Sequence, residues 1–552
     1  MLVGLQEFSV PTGKKTILLL YADKYYLVNP VYPFGLDIIA NHLRNQGHSV
    51  EIESPFLPDL NYKKNVSNAI ARLRPDFVGL SIRNIDTCMS CEQYGDWGGK
   101  DYRTFYFLPQ IKEIASQIRR QSPNIPVVVG GGAFTASPQA ILEYLGLDYG
   151  IVGEGEIPFS RFIEAFPGEE KISQIPNMVY PYKNGYKVNS RRPYRFESSF
   201  WLEQRDHKFN YACRTTGIPV QVKRGCHHRC SYCIEPLIEG REFVFRKIDD
   251  VIHELKVIVR GMEEAGTVFF VDTEFNVPNL SYCSDLLKAI VQEGLGDCCR
   301  FVTQLIPKPL DENFVELLAE AGFSVVFSCE SFSNEVLRKN YIPYCKKDII
   351  EAIEICDRKG LPCTISLIFG LPGETRETMD DTLVSMATYP ASPTRKYEYT
   401  VGGRVYQGTP LCEYVEKGNQ PENLYGTKSD GYLLPYYYCA PLSPFKVRGY
   451  VKEKFPDLLC YDNKYEQKNQ HGLALCYLCD QALWKDVVQG FRESDVDVQS
   501  ASYDYLFKRL AQAERADDAR AISTAFLTNL ENNGSADPGQ ADVVKFYLGC
   551  LR

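Results

Sequence analysis

Three cysteines, Cys226, Cys230 and Cys233, stand at Cys-x3-Cys-x2-Cys spacing. They follow a mostly apolar run at 218–222 and the residues Lys223-Arg224-Gly225. The run reads as a strand and the thiols as the loop that leaves it. Three thiolates can hold three irons of a [4Fe–4S] cluster, a centre that usually takes four Cys, so the fourth iron stays open to a small ligand. A structural zinc site would want four ligands in paired spacings, and no fourth is evident nearby.

This spacing resembles that of the radical S-adenosylmethionine (SAM) superfamily. The resemblance implies that the amino and carboxylate groups of SAM chelate the open iron. It also implies that Tyr232, the aromatic before the last cysteine, lies against the adenine. The downstream chain agrees, because strands and helices alternate after the loop. A helical stripe of Ile248, Val251, Ile252, Leu255 and Val259 precedes expected strands at 267–271, 301–305, 323–328, 363–369 and 397–401. Six such units make a partial (β/α)6 barrel over 206–425, with its chemistry at the carboxyl ends of the strands by analogy with full barrels.

The candidates fall at or near those ends. Asp272 and Glu274 follow the second strand, and a carboxylate there suits the ammonium of SAM; the sequence leaves the choice between them open. Gln304 lies near the end of the third strand, and Ser328 and Glu330 end the fourth. Gly370 opens a Gly-Leu-Pro-Gly-Glu-Thr turn whose backbone could meet the adenine. Arg404 sits in Gly402-Gly403-Arg404-Val405-Tyr406. The Glu-Ser pair after the fourth strand and the last two phrases resemble the superfamily's SAM-contacting segments. Arg241 and Arg246 read as partners of surface acids, with lining the cavity as the other option.

The first 165 residues have their own alternation. Strands are expected at 16–20, 49–52, 77–81, 127–129 and 149–152. Helical stripes lie between them, the first stopped by Gly47 and the second by Pro75. This predicts a doubly wound, Rossmann-like parallel sheet, which binds ligands beyond the carboxyl ends of its strands. Gly79, Gly130-Gly131-Gly132 and Gly153-Glu154-Gly155-Glu156 fall there, where glycine lets backbone approach a ligand.

Those glycine phrases, with Tyr32-Pro33-Phe34-Gly35-Leu36 and the run from Arg74 to Ser81, resemble the cobalamin-binding domain of class B radical SAM enzymes. The resemblance implies cobalamin contacts at Pro33, Gly35, Gly79, Ser81, Arg83, Gly130, Gly131, Gly132, Gly153, Glu154 and Gly155. None of the seven histidines has Asp two residues before it, so cobalt is expected to lack a protein His ligand, with Arg83 near the lower face of the corrin. Cys88 and Cys91, in an insert at 86–107, read as ordinary thiols.

The rest of the chain bounds these readings. At 552 residues it is more than one domain. We expect a polar connector at 166–205 and a small, mostly helical region of unnamed role at 426–552, where substrate choice could reside. The aromatic stretch 431–439 reads as interdomain packing, with closure over substrate as the other option. Cys476 and Cys479 could belong to an auxiliary cluster only if further donors, such as Cys439 or Cys460, came near. Sixty-one basic against 70 acidic residues give a net charge of −9, which disfavours a nucleic-acid partner. No apolar run approaches the roughly 20 residues needed to span a bilayer. Nineteen scattered cysteines and no evident signal peptide suit a reducing, cytoplasmic setting.

The resemblance implies a methyltransferase that uses a [4Fe–4S] cluster, SAM and cobalamin to methylate an unactivated carbon of a small metabolite or peptide. It also implies an electron donor such as flavodoxin or ferredoxin. Other readings fit the same cluster motif. One is cyclisation or rearrangement without methyl transfer. A methylthiotransferase would be expected to carry extra N-terminal cysteines and a basic C-terminal module, neither of which is visible. A non-catalytic corrinoid-binding module would need no SAM cleavage.

Overall fold

The computed structural model describes residues 13–196, 205–261, 266–462, 467–533 and 538–551. Part of the expected connector, 197–204, and the terminal Arg552 lie outside them.

The N-terminal sheet has seven strands in the spatial order Ser49–Glu53, Thr16–Tyr21, Phe77–Ser81, Val127–Gly130, Tyr149–Ile151, Met178–Tyr182 and Gly185–Val188. The first five are parallel. Thr16–Tyr21 is paired on both sides and buried from Ile17 onward, which is why it reads as a continuous apolar run rather than an alternation. Helices Phe34–Asn45, Tyr62–Leu73, Leu108–Gln121 and Pro138–Leu145 follow the first four strands in chain order. The Asn61 side chain caps the second helix by accepting from Lys64 N, and Arg74 ends it in the left-handed region.

One expectation changes here. The hairpin Met178–Val188 lies inside the stretch read as connector, yet it extends this sheet antiparallel to Tyr149–Ile151. The sheet is therefore mixed, and its fold continues past residue 165.

The second sheet is parallel throughout, in the order Ile218–Val220, Thr267–Phe270, Arg300–Leu305, Phe323–Glu330, Cys363–Phe369, Arg395–Val401 and Leu459–Cys460. Its first and last strands do not pair, so the barrel stays open. The seventh strand is only two residues long.

The insert after Ser81 ties the two domains together. Asp86 pairs with Arg404 at 2.9 Å, and Phe445 N donates to Asp101 O at 3.3 Å. The aromatic stretch forms the strand Tyr436–Tyr438 between Gly403–Arg404 and Leu424–Gly426. Buried Tyr437 donates to Thr104 Oγ1 of the insert at 3.1 Å. This stretch is interdomain packing.

The C-terminal region is helical, from Gln467–Asp480 to Pro538–Cys550. It docks on the N-terminal sheet, where Tyr477 Oη donates to Glu53 Oε2 at 2.8 Å and Gln470 Nε2 to Phe56 O at 3.0 Å. No described helix is long and apolar enough to cross a membrane.

Candidate active site

The carboxyl ends of the two sheets face one cavity of about 1000 Å³. The first sheet contributes Gly79, Ser81, Arg83, Gly130–Gly132 and Gly153–Gly155, together with Pro33 and Gly35 from the first turn. The second contributes Tyr232, Cys233, Asp272, Glu274, Gln304 and Ser328. Most residues chosen from sequence thus meet in one place. No histidine lines this cavity. Among the described residues, none of the stretch 431–439 or of the C-terminal helices lines it, but Tyr461, just past the two-residue strand Leu459–Cys460 in the region 426–552, does.

The turn after Val127–Gly130 shows why glycine is needed. Gly131 has φ +102, and a Cβ there would stand 2.5 Å from Ile82 O. A Cβ on Gly130 would meet only Ile151 O, at 3.8 Å, so its absence leaves backbone open to the cavity. These turns fit a broad, flat ligand laid against main chain. Arg83 lines the same wall and is held by buried Asp23 at 3.4 Å, with its guanidinium 5.9 Å from the centre of the Tyr25 ring.

The cysteine loop is braced on several sides. Gly225, at φ +99, turns the chain where a Cβ would stand 2.2 Å from Glu242 O. Cys226 N donates to Gly240 O at 3.0 Å, and Ser231 N to Asn340 O at 2.9 Å. Glu239 accepts from Gly225 N at 3.1 Å and from Thr273 Oγ1 at 2.7 Å, linking the loop to the next strand end. Among the described residues no three His, Cys, Asp or Glu side chains converge on a single metal ion. Ligands of a four-iron cluster differ in this respect, because each thiolate holds its own iron.

The two candidate carboxylates separate by geometry. Asp272 Oδ1 accepts from Val222 N at 3.0 Å and Lys223 N at 2.7 Å, so it clamps the entry to the cysteine loop. Burial pushes its carboxyl up to about 6, against the lowering charge of Lys223. Glu274 Oε1 accepts from the Ser328 side chain at 3.0 Å rather than from backbone, and its Oε2, like Asp272 Oδ2, is buried with no partner. Burial, with the Glu330 charge adding to it and the Ser328 bond opposing, raises Glu274 to about 8. An orphaned carboxylate oxygen on a cavity wall fits a cationic ligand.

Glu330 adjoins this wall without lining the cavity. It is buried, takes hydrogen bonds from the hydroxyls of Tyr232 and Tyr344, and sits at φ +50 beside a register shift in its strand. A non-glycine residue held there is strained, and such strain gathers at functional sites.

Two candidates do other work. Arg404 is buried away from the cavity, donating to Asp86, Val405 O and Tyr432 O, each at 2.9 Å. It fastens the insert to the barrel. Gly370, at φ +96, also lies off the cavity, and a Cβ there would stand 2.6 Å from Cys439 Sγ. It makes room for the aromatic strand.

The remaining thiols also separate. Cys460 lies 3.8 Å from Cys91, Cys439 packs on Gly370, and Cys476 and Cys479 are buried in the C-terminal core, so these donors do not meet. Cys88 Sγ lies 2.6 Å from Tyr406 Oη. Arg246 is buried against Glu254 at 2.6 Å, and Arg241 is exposed.

Sequence reasoning missed the links between the two halves. Arg224, just before the cysteines, pairs with Glu156 at 2.6 Å, both buried. Arg191 of the expected connector donates to the carbonyls of Leu237 and Ile238 behind the loop and reaches Glu154 at 3.3 Å. Glu156 and Arg224 lay inside quoted phrases, but nothing in the sequence paired them, and Arg191 carried no signal.

Comparison with known proteins agrees with this architecture. The radical SAM superfamily matches residues 220–385, and the B12 binding domain matches residues 107–163. The tryptophan 2-C-methyltransferase of Streptomyces laurentii is 25% identical over 434 residues, covering 66% of this chain and 69% of that protein. The uncharacterized methyltransferase PH0819 of Pyrococcus horikoshii is 25% identical over 397 residues, covering 70% and 79%. The structure of the radical SAM methyltransferase TsrM from Kitasatospora setae, with cobalamin and a [4Fe–4S] cluster bound, shares the fold at a TM-score of 0.67 and 21% identity. It covers 87% of this chain and 99% of that one. With the cysteine loop, the glycine turns and their common cavity, these matches make the chain a cobalamin-binding radical SAM enzyme whose cofactors are a [4Fe–4S] cluster, SAM and cobalamin.

Proposed function

We propose that this enzyme is a methyltransferase that methylates an unactivated carbon of a small metabolite or a peptide. The observation that carries the reading is the single cavity onto which the glycine turns and the cysteine-loop wall both open. A donor held on one wall can there reach a substrate carbon activated from the other. The two relatives named as methyltransferases support the same choice.

Cys226, Cys230 and Cys233 would each hold one iron. When bound, the cofactors supply one-electron chemistry, hydrogen abstraction from carbon and a transferable methyl group. The protein binds and orients. Glu274 offers its free oxygen to the N–H groups of SAM's amino group, and Ser328 fixes the other oxygen. Arg83, fastened by Asp23, presents a cation and no coordinating nitrogen to the corrin wall. The Glu156–Arg224 and Arg191 contacts hold the walls in register.

The test is anaerobic reconstitution with cobalamin and methyl-labelled SAM against a panel of candidate metabolites and peptides. Label on a carbon of the product supports the proposal. A converted product that carries no label overturns it in favour of cyclisation or rearrangement.

A further inference from the structure

A buried lysine stands just ahead of the cysteine loop. Lys223 is 1% exposed, and among the described residues its Nζ has no hydrogen-bond partner. The backbone decides where this side chain goes. Lys223 pairs with Phe245, and Arg224 with Val244, in a short antiparallel ladder, so the two side chains leave on opposite faces. Arg224 reaches Glu156 on the corrin wall. Lys223 turns the other way, toward the barrel end. Its backbone N donates to Asp272 Oδ1 at 2.7 Å, and its Nζ lies 5.5 Å from the centre of the Phe243 ring. That ring is 5.2 Å from the ring of His227, which is 4.3 Å from the ring of His228.

Three more polar atoms around the loop are buried without a partner: Asp272 Oδ2, Glu274 Oε2 and His228 Nε2. The Lys223 charge reaches all three side chains and Cys226. It favours the ionised forms of Asp272, Glu274 and Cys226 and disfavours protonation of His228. Yet neither carboxylate bonds Nζ, although each keeps one oxygen free. A buried cation with no partner is strongly unfavourable, and folded proteins pair it. This one, three residues before Cys226, suits an anionic group held by the neighbouring thiolates.

We propose that Lys223 contacts the cluster: its ammonium donates to a cluster sulfur beside Cys226 and stabilises the reduced state. The reason is charge. Three thiolates leave the oxidised cluster anionic, and reduction adds one electron without forming or breaking a bond, so the negative charge grows. A fixed cation in a dry site favours the more negative state, and hydrogen bonds to the sulfurs act in the same direction. Lys223 thereby eases the one-electron step that precedes SAM cleavage. The inference rests on the cluster and stands whether or not the group later transferred is methyl.

The test is a redox titration of the reconstituted, full-length protein without SAM. Titanium(III) citrate supplies the electron, and electron paramagnetic resonance counts the reduced cluster. Lys223→Met keeps the length of the side chain and removes its charge. It should lower the equilibrium constant for cluster reduction at least about tenfold, a fall of about 59 mV for one electron. Lys223→Arg should restore most of the difference. An unchanged potential in Lys223→Met would overturn the proposal; if SAM affinity fell in the same variant, the ammonium would belong to the carboxylate of SAM instead. Should Lys223→Met load too little cluster to titrate, the cluster-free protein decides. There Lys223→Met removes a cation that no protein group pairs, so the urea midpoint should rise. An equal or lower midpoint would make Lys223 a packing residue and overturn the proposal.

Discussion

Arg224 and Glu156 meet at 2.6 Å with both side chains buried, joining the last glycine turn of the first sheet to the residue two places before Cys226. The pair crosses from the corrin wall to the cluster wall. Removing one partner leaves an uncompensated buried charge, which costs about 3–5 kcal/mol. Glu156→Ala should therefore lower stability to urea by that order. Glu156→Ala with Arg224→Ala should cost less than the sum of the singles. Cobalamin and cluster absorption should both change in Glu156→Ala, because the pair holds both walls.

Glu274 sets a pH dependence for SAM. Raised to about 8 by burial, its carboxyl is mostly protonated at neutral pH, and a cationic ligand favours its ionised form. Binding below about pH 8 then releases a proton, so affinity should rise about tenfold per pH unit and flatten above pH 8. Titration calorimetry in buffers of different ionisation enthalpy measures the proton. Glu274→Gln should bind more weakly, with the slope gone.

Gly131→Ala isolates the corrin wall. Its Cβ would meet Ile82 O at 2.5 Å in a backbone conformation that side chains avoid, so the turn must shift. Cobalamin retained after gel filtration should fall sharply, while iron and sulfide per chain stay unchanged.

Arg404 distinguishes anchoring from cofactor contact. Arg404→Ala strands buried Asp86 and frees one end of the insert. Limited proteolysis should cut within 86–107 at much lower protease, and SAM affinity should not move. A selective loss of SAM binding with the insert still protected would return Arg404 to the cavity.

The strands of the first sheet were legible because 16–20 and 77–81 are buried, mostly apolar runs; those of the second alternate buried and half-buried residues, and glycines or carboxylates mark where they stop. The hairpin Met178–Val188 was not. Pro181 and charged residues made it look like loop, yet Pro181 lies past the last pair with Tyr149–Ile151 and costs no bond on that side. Asp272 and Glu274 could not be told apart from sequence, because the amides that occupy Asp272 come from Val222 and Lys223, fifty and forty-nine positions away. Arg404 was misread for the same reason: its partner Asp86 is 318 positions away, so a familiar phrase concealed an interdomain anchor. Local pattern fixes where a side chain stands in an element, and long-range pairing decides what it does there.

The central claim is that cobalamin and the cluster face each other across one cavity. Electron paramagnetic resonance of protein loaded with both cob(II)alamin and reduced cluster tests it most directly. Spins on opposite walls of a space of about 1000 Å³ should couple, broadening or splitting both signals relative to singly loaded protein. A doubly loaded spectrum equal to the sum of the two singly loaded spectra would contradict the account.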